Sequence, residues 1–132
     1  MRPPLDQQVT FLYAENPEEC WRFYEDILEL PLVQDQGAVR IYGIDGSRAF
    51  LGICKARAPL AAENPRAVGG VIFTLVTRDV EAWHAFLTAK GMSLPMAPTY
   101  SEAYRITHFF FQDPAGYTIE VQRFERPDWP AI

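Results

Sequence analysis

The sequence predicts an α+β fold, two tandem βαβββ modules forming a curved sheet or half-barrel around a cavity. Three observations predict it. An alternating, strand-like segment gives way to an amphipathic helix twice, at residues 8–28 and again at residues 71–87. Each helix is followed by three short strand-like segments, so the same unit repeats at about half the chain length. Between the repeats lies an Ala-, Pro- and Glu-rich stretch with no period of either kind.

In the first module, residues 8–13 alternate and supply Val, Thr, Phe and Tyr, which suit a half-buried pleated strand. Asn16 is placed to cap a helix, Pro17 suits its first position, and Glu19 stands where a capping box puts its acid. Cys20, Phe23, Tyr24, Ile27 and Leu28 then recur as one apolar stripe. Leu30-Pro31 is expected to end the helix, because a residue before proline avoids helical backbone. Residues 32–34, 38–42 and 48–54 read as strands, the last two joined through the hairpin signal Asp45-Gly46.

The second module begins with a strand over residues 71–76. A helix follows, with Asp79 as N-cap, Val80, Trp83, Phe86 and Leu87 as its apolar side, and Gly91 as its stop. A short proline-interrupted segment at residues 93–98 is the next expected element, then strands over residues 104–112 and 117–124. Asp113-Pro114-Ala115-Gly116 supplies the turn between the last two. The expected organisation is a single domain over residues 1–132, with module 1 over about 7–54, a linker over 55–69, module 2 over about 70–124 and a tail over 125–132. Neither module covers its own sheet, so the two are expected to pack around a shared cavity.

Composition narrows the function. At 132 residues and 48% hydrophobic, the chain is long and apolar enough for a real core, which excludes a disordered protein. A net charge of −5 argues against nucleic acid as a partner. No apolar run approaches the ~20 residues of a membrane helix. The first residues, Met1-Arg2-Pro3-Pro4-Leu5-Asp6, hold no signal-like apolar stretch. Cys20 and Cys54 give no paired framework, so free thiols and a cytoplasmic location are expected. The nucleophile elbow, the glycine-rich phosphate loop and the Cys-x-x-Cys pair are all missing from the sequence.

Two stretches carry a family resemblance. The opening, Val9 through Asn16-Pro17 to Phe23-Tyr24-Glu25-Asp26-Ile27-Leu28, resembles that of the glyoxalase / bleomycin-resistance / extradiol-dioxygenase (vicinal oxygen chelate) superfamily. The run Phe111-Gln112-Asp113-Pro114-Ala115-Gly116-Tyr117-Thr118-Ile119-Glu120-Val121 is similar to its closing signature. The resemblance implies metal ligands on the first and last strands of each module. Those positions fall on Val9, Gly52, Ile72 and Glu120, and only Glu120 offers a donor. His84 lies on the second helix and reads as a surface residue. His108 lies on a strand, and with Glu120 it makes only two ligands. The expectation is therefore no metal, no cofactor and no catalytic residue assigned.

Without a metal, Glu120 has three physical fates: it is protonated, it pairs with Arg40 or Arg105, or it meets a cationic or hydrogen-bonding ligand. Strand parity places Phe11, Tyr13, Thr74 and Gln122 with it in an aromatic cavity, and His108 and Arg105 join them as candidate ligand-binding residues. The Phe109-Phe110-Phe111 run is expected to send at least one ring into the helix-facing core. Trp129 is a candidate anchor for the tail, on the domain or on a partner. The resemblance implies a homodimer that binds a small organic molecule, as the drug-sequestering members do. The alternative it implies is a metal-dependent glyoxalase-like lyase, isomerase or dioxygenase with an atypical ligand set. A metal-free enzyme using Glu120 as general base is a third reading.

Overall fold

The structure, a computed structural model, describes residues 1–56 and 71–131. The chain divides into two compact units, Met1–Glu63 and Asn64–Ile132, and each contains a four-stranded sheet. Most of the predicted linker over residues 55–69 lies outside the described residues, while Lys55 proves to be the last residue of a strand. Among the described residues no helix is long and apolar enough to cross a membrane.

In the first unit, β1 (Gln8–Ala14) leads to α1 (Pro17–Arg22), then to β2 (Leu32–Asp35), β3 (Val39–Asp45) and β4 (Ala49–Lys55). The sheet order is β1-β4-β3-β2, with β1 and β4 parallel and the other pairs antiparallel. The apolar stripe of the helix is buried as expected: Cys20, Phe23, Tyr24 and Leu28 lie in the core with Leu12, Leu51 and Ile53. Trp21 fastens the helix to the sheet by donating its indole N–H to the Ile53 carbonyl at 3.0 Å.

Both ends of that helix differ from expectation. Asn16 precedes it but makes no side-chain cap; its amide donates instead to the Glu19 carboxylate at 3.2 Å, so the reciprocal box is not formed. At the other end, α1 widens into a π-helical turn over Phe23–Ile27, with Leu28 N–H bonded to the Phe23 carbonyl. Glu29 then adopts φ 54, so the helix stops before Leu30-Pro31 through a left-handed residue.

The second unit runs β5 (Ile72–Val76), α2 (Val80–Ala89), β6 (Thr99–Ser101), β7 (Ile106–Gln112) and β8 (Thr118–Phe124). Its order, β5-β8-β7-β6, repeats the first, again with the first and last strands parallel. The third element is a correction: the strand lies at Thr99–Ser101, beyond residues 93–98, because Pro95 and Pro98 have no N–H to give a ladder. Likewise β7 begins at Ile106, since Arg105 turns the chain at φ 54. Asp79 makes no side-chain cap; its own N–H is held by Thr77 Oγ1 at 3.1 Å. Gly91, at φ 91, stands just past the end of α2.

Phe109 and Phe111 are buried on the helix side and stack on each other at 5.9 Å, while Phe110 takes the opposite face. His84, expected at the surface, is half-buried: it bonds the Met96 carbonyl at 3.0 Å and meets Phe109 edge-on. Trp129 stacks on Phe124 at 3.6 Å, so the tail is anchored on its own unit. Cys20 and Cys54 are both free and buried.

Two predictions follow from the first unit. A Cβ on Gly52 would sit well inside contact distance of the Phe11 ring, its register partner. Gly52→Ala is expected to destabilise by about 1–2 kcal/mol, and Phe11→Ala in the same chain to recover most of it, measured by urea unfolding. Burial, reinforced by the Glu25 charge, pushes the Tyr42 phenol well above its ordinary 10.0. A raised value means the neutral phenol stabilises the fold below that ordinary value, and this stabilisation is lost as pH rises through the folded one. The Tyr42 hydroxyl is buried with no hydrogen-bond partner among the described residues. Tyr42→Phe is therefore expected to be near-neutral at neutral pH and to extend the folded range upward in an alkaline circular-dichroism titration.

Candidate functional site

Strand β8 lies between β5 and β7, and its side chains alternate between two environments. Ile119 and Val121 are fully buried on the side of α2, with Phe109 opposite Val121. Thr118, Glu120 and Gln122 therefore share the opposite, open face. Register then decides their neighbours. Thr74 is aligned with Glu120 from the parallel side, and Phe110 is aligned with it from the antiparallel side. Gln122 is aligned with Val76 and His108.

These alignments bring three of the predicted site residues into direct contact. Thr74 Oγ1 donates to Glu120 Oε1 at 3.0 Å, and His108 Nδ1 lies 2.8 Å from Glu120 Oε2. The His108 and Glu120 side chains are only 15% and 11% exposed, so this bond is shielded from most of the competing water. The carboxylate oxygen accepts from Nδ1 when that nitrogen carries the ring hydrogen. The His108 ring in turn meets the edge of Phe110, centroids 4.9 Å apart.

The arginine candidates do not serve Glu120 in the way expected. Arg40, in the first unit, is bonded to Glu25 at 2.9 Å, lies 3.5 Å from Asp35, and rests its guanidinium 4.7 Å from the Trp21 ring centre. Burial pulls its pKa down, but the Glu25 charge and hydrogen bond outweigh this and leave it raised. Arg105 is exposed in the turn before β7, and among the described residues no ion pair joins it to Glu120. Phe11 and Tyr13 belong to β1 of the first unit, where their rings are about half exposed and Phe11 covers Gly52. Gln122 stands next to the cluster, buried on the same strand face as Glu120.

An apolar cavity of about 690 Å³ adjoins this face. Ile72, Met92, Pro95 and Phe110 form apolar parts of its wall, and Ser93 and Thr118 add polar groups. Sequence reasoning passed over Phe110 and the Met92–Pro95 stretch. Parity could have found Phe110, since it shares the face of His108; nothing in the sequence marks Met92.

The donor set does not fit the divalent cation that the family resemblance implies. Val9, Gly52 and Ile72 have no side-chain donor atom, and with His108 Nδ1 turned to Glu120 only Nε2 of that ring is left for an ion. Among the described residues no group of three or more His, Cys, Asp or Glu side chains could hold a metal ion.

Comparison with known proteins places the chain in a family. No curated protein sequence matches the chain. Among solved structures, the chain is similar to a lactoylglutathione lyase from Agrobacterium tumefaciens, at 23% identity and a TM-score of 0.71, covering 97% of this chain and 100% of that one. It is also similar to a glyoxalase/bleomycin resistance protein/dioxygenase from Nocardioides (17% identity, TM-score 0.76, 100% and 91% covered). A third is TioX from Micromonospora sp. ML1 (14% identity, TM-score 0.70, 90% and 98% covered). At such identities the likeness shows the fold. The family model matches residues 7–121, taking in both modules and the strand that bears Glu120, and so the chain belongs to the Glyoxalase/Bleomycin resistance protein/Dioxygenase superfamily.

Proposed function

We propose that the protein binds a small organic molecule on the open face of its second module, without a catalytic metal. The observation that carries this reading is an apolar cavity walled by Phe110 and Thr118, on the strand face whose Glu120 carboxylate has a protein partner on each oxygen. A metal ligand needs a free lone pair directed at the ion, together with further donors converging on the same point. Glu120 and His108 are two such groups, and among the described residues no third His, Cys, Asp or Glu side chain joins them. The cavity volume falls in the range of small-molecule sites, which are mostly apolar with a few placed polar groups. Of the candidate binding residues, Glu120, Thr74, His108 and Gln122 form the polar part of the site. Phe11 and Tyr13 contribute exposed aromatic surface on their own sheet, and Arg105 is the most peripheral. A cytoplasmic homodimer is the expected setting, in keeping with the two buried free thiols.

Purified protein is expected to contain no stoichiometric divalent metal and to gain no thermal stability from nickel, zinc or iron, as read by elemental analysis and thermal shift. Stoichiometric metal that disappears in Glu120→Ala would overturn this reading in favour of a metal-dependent lyase or dioxygenase. Thr74→Val keeps the branched shape but removes one donor to the carboxylate. It is expected to lower stability by about 1 kcal/mol in urea unfolding, and Thr74→Ser to lower it less.

A further inference from the structure

We propose that this face selects a neutral, ring-bearing molecule whose head group donates a hydrogen bond, an alcohol or N–H, and that His108 Nε2 is the acceptor. The proposal rests on the binding reading above and names the chemistry of its ligand.

Hydrogen-bond direction is the first argument. Glu120 is an acceptor on both oxygens, one taken by the Thr74 hydroxyl and the other by His108 Nδ1. With the ring hydrogen on Nδ1, neutral imidazole keeps its lone pair on Nε2. Among the described residues Nε2 has no hydrogen-bond partner. The carboxylate thus acts through the histidine: it orients the ring and sets its tautomer, and the group left for a ligand is an acceptor.

Position is the second argument. Phe110 both walls the cavity and meets the His108 ring edge at 4.9 Å. Thr118, another wall residue, precedes Glu120 by two residues on one strand face, a separation of roughly 7 Å. His108 does not itself line the cavity, so a ring-bearing molecule held against Phe110 reaches it by extending its head group past that ring. Gln122, aligned with His108 across the β7–β8 ladder and only 8% exposed, adds an amide that can answer the oxygen of the same head group. Charge is the third argument. An ammonium head would lose its water shell beside a largely apolar cavity, and the carboxylate on this strand face already accepts from Thr74 and lies against His108.

Three probes of nearly equal shape test this on the full chain: 1-phenylethanol, acetophenone and 1-phenylethylammonium, titrated by NMR. The alcohol is expected to bind about five- to tenfold more tightly than the ketone, which can only accept. In His108→Phe that preference should vanish while ring binding persists. Long-range proton–nitrogen correlation on the wild-type protein should show His108 Nε2 without a hydrogen, a readout that needs no variant to fold. Equal binding of alcohol and ketone, tightest binding of the ammonium, or a hydrogen on Nε2 overturns this proposal alone. No binding by any of the three overturns the binding reading and this proposal together.

Discussion

In each module the first strand lies parallel to the last, and this pairing governs the rest of the structure. Parallel neighbours cannot be joined by a tight turn; here the helix and the two strands after it make the connection, and the helix covers one face of the sheet. The last strand becomes internal, with a parallel partner on one side and an antiparallel one on the other. Its side chains are then held in register by two ladders at once. In the second module that double constraint puts Thr74 and Phe110 opposite the same residue, Glu120. The polar cluster is a consequence of register before it is a consequence of chemistry.

The two modules show how one backbone arrangement supports different contents. Where the second module has Thr74 beside Glu120, the first has Phe11 beside Gly52, and Ile41 stands where Phe110 does. An aromatic ring on the outer strand leaves no room for a Cβ on the inner one, so Phe11 and Gly52 form a matched pair. A hydroxyl on the outer strand leaves both room and a donor for a carboxylate. The repeat thus preserves topology while equivalent positions hold a ring over a glycine in one sheet and a hydroxyl bonded to a carboxylate in the other.

Much of this was legible before any coordinates. Strand parity separated Val9, Phe11 and Tyr13 from Leu12, because alternation survives any tertiary arrangement that buries one face. The helical stripe Cys20–Leu28 was equally plain. Less legible were the boundaries, for local reasons. The chain between Gly91 and Thr99 carries strand-compatible residues, but Pro95 and Pro98 remove the donors a ladder needs. The arginine pairing that the sequence left as one of three fates for Glu120 is a different case. Ion-pair partners are chosen by geometry across elements, and Arg40 projects toward the helix, where Glu25 waits.

The sequence by itself determined the family architecture, the repeat, and the absence of donors at Val9, Gly52 and Ile72, because these depend on residue types and on periods intrinsic to the backbone. Only the tertiary structure decided what Glu120 touches. Its partners come from strands 46 and 12 residues away, and a shift of one residue in either ladder would have turned Thr74 or His108 to the other face. No local signal encodes such a register; it emerges when the helix covers one face and the ladders lock. The carboxylate that the sequence left with three fates is, in the folded chain, in hydrogen-bond contact with Thr74 and His108.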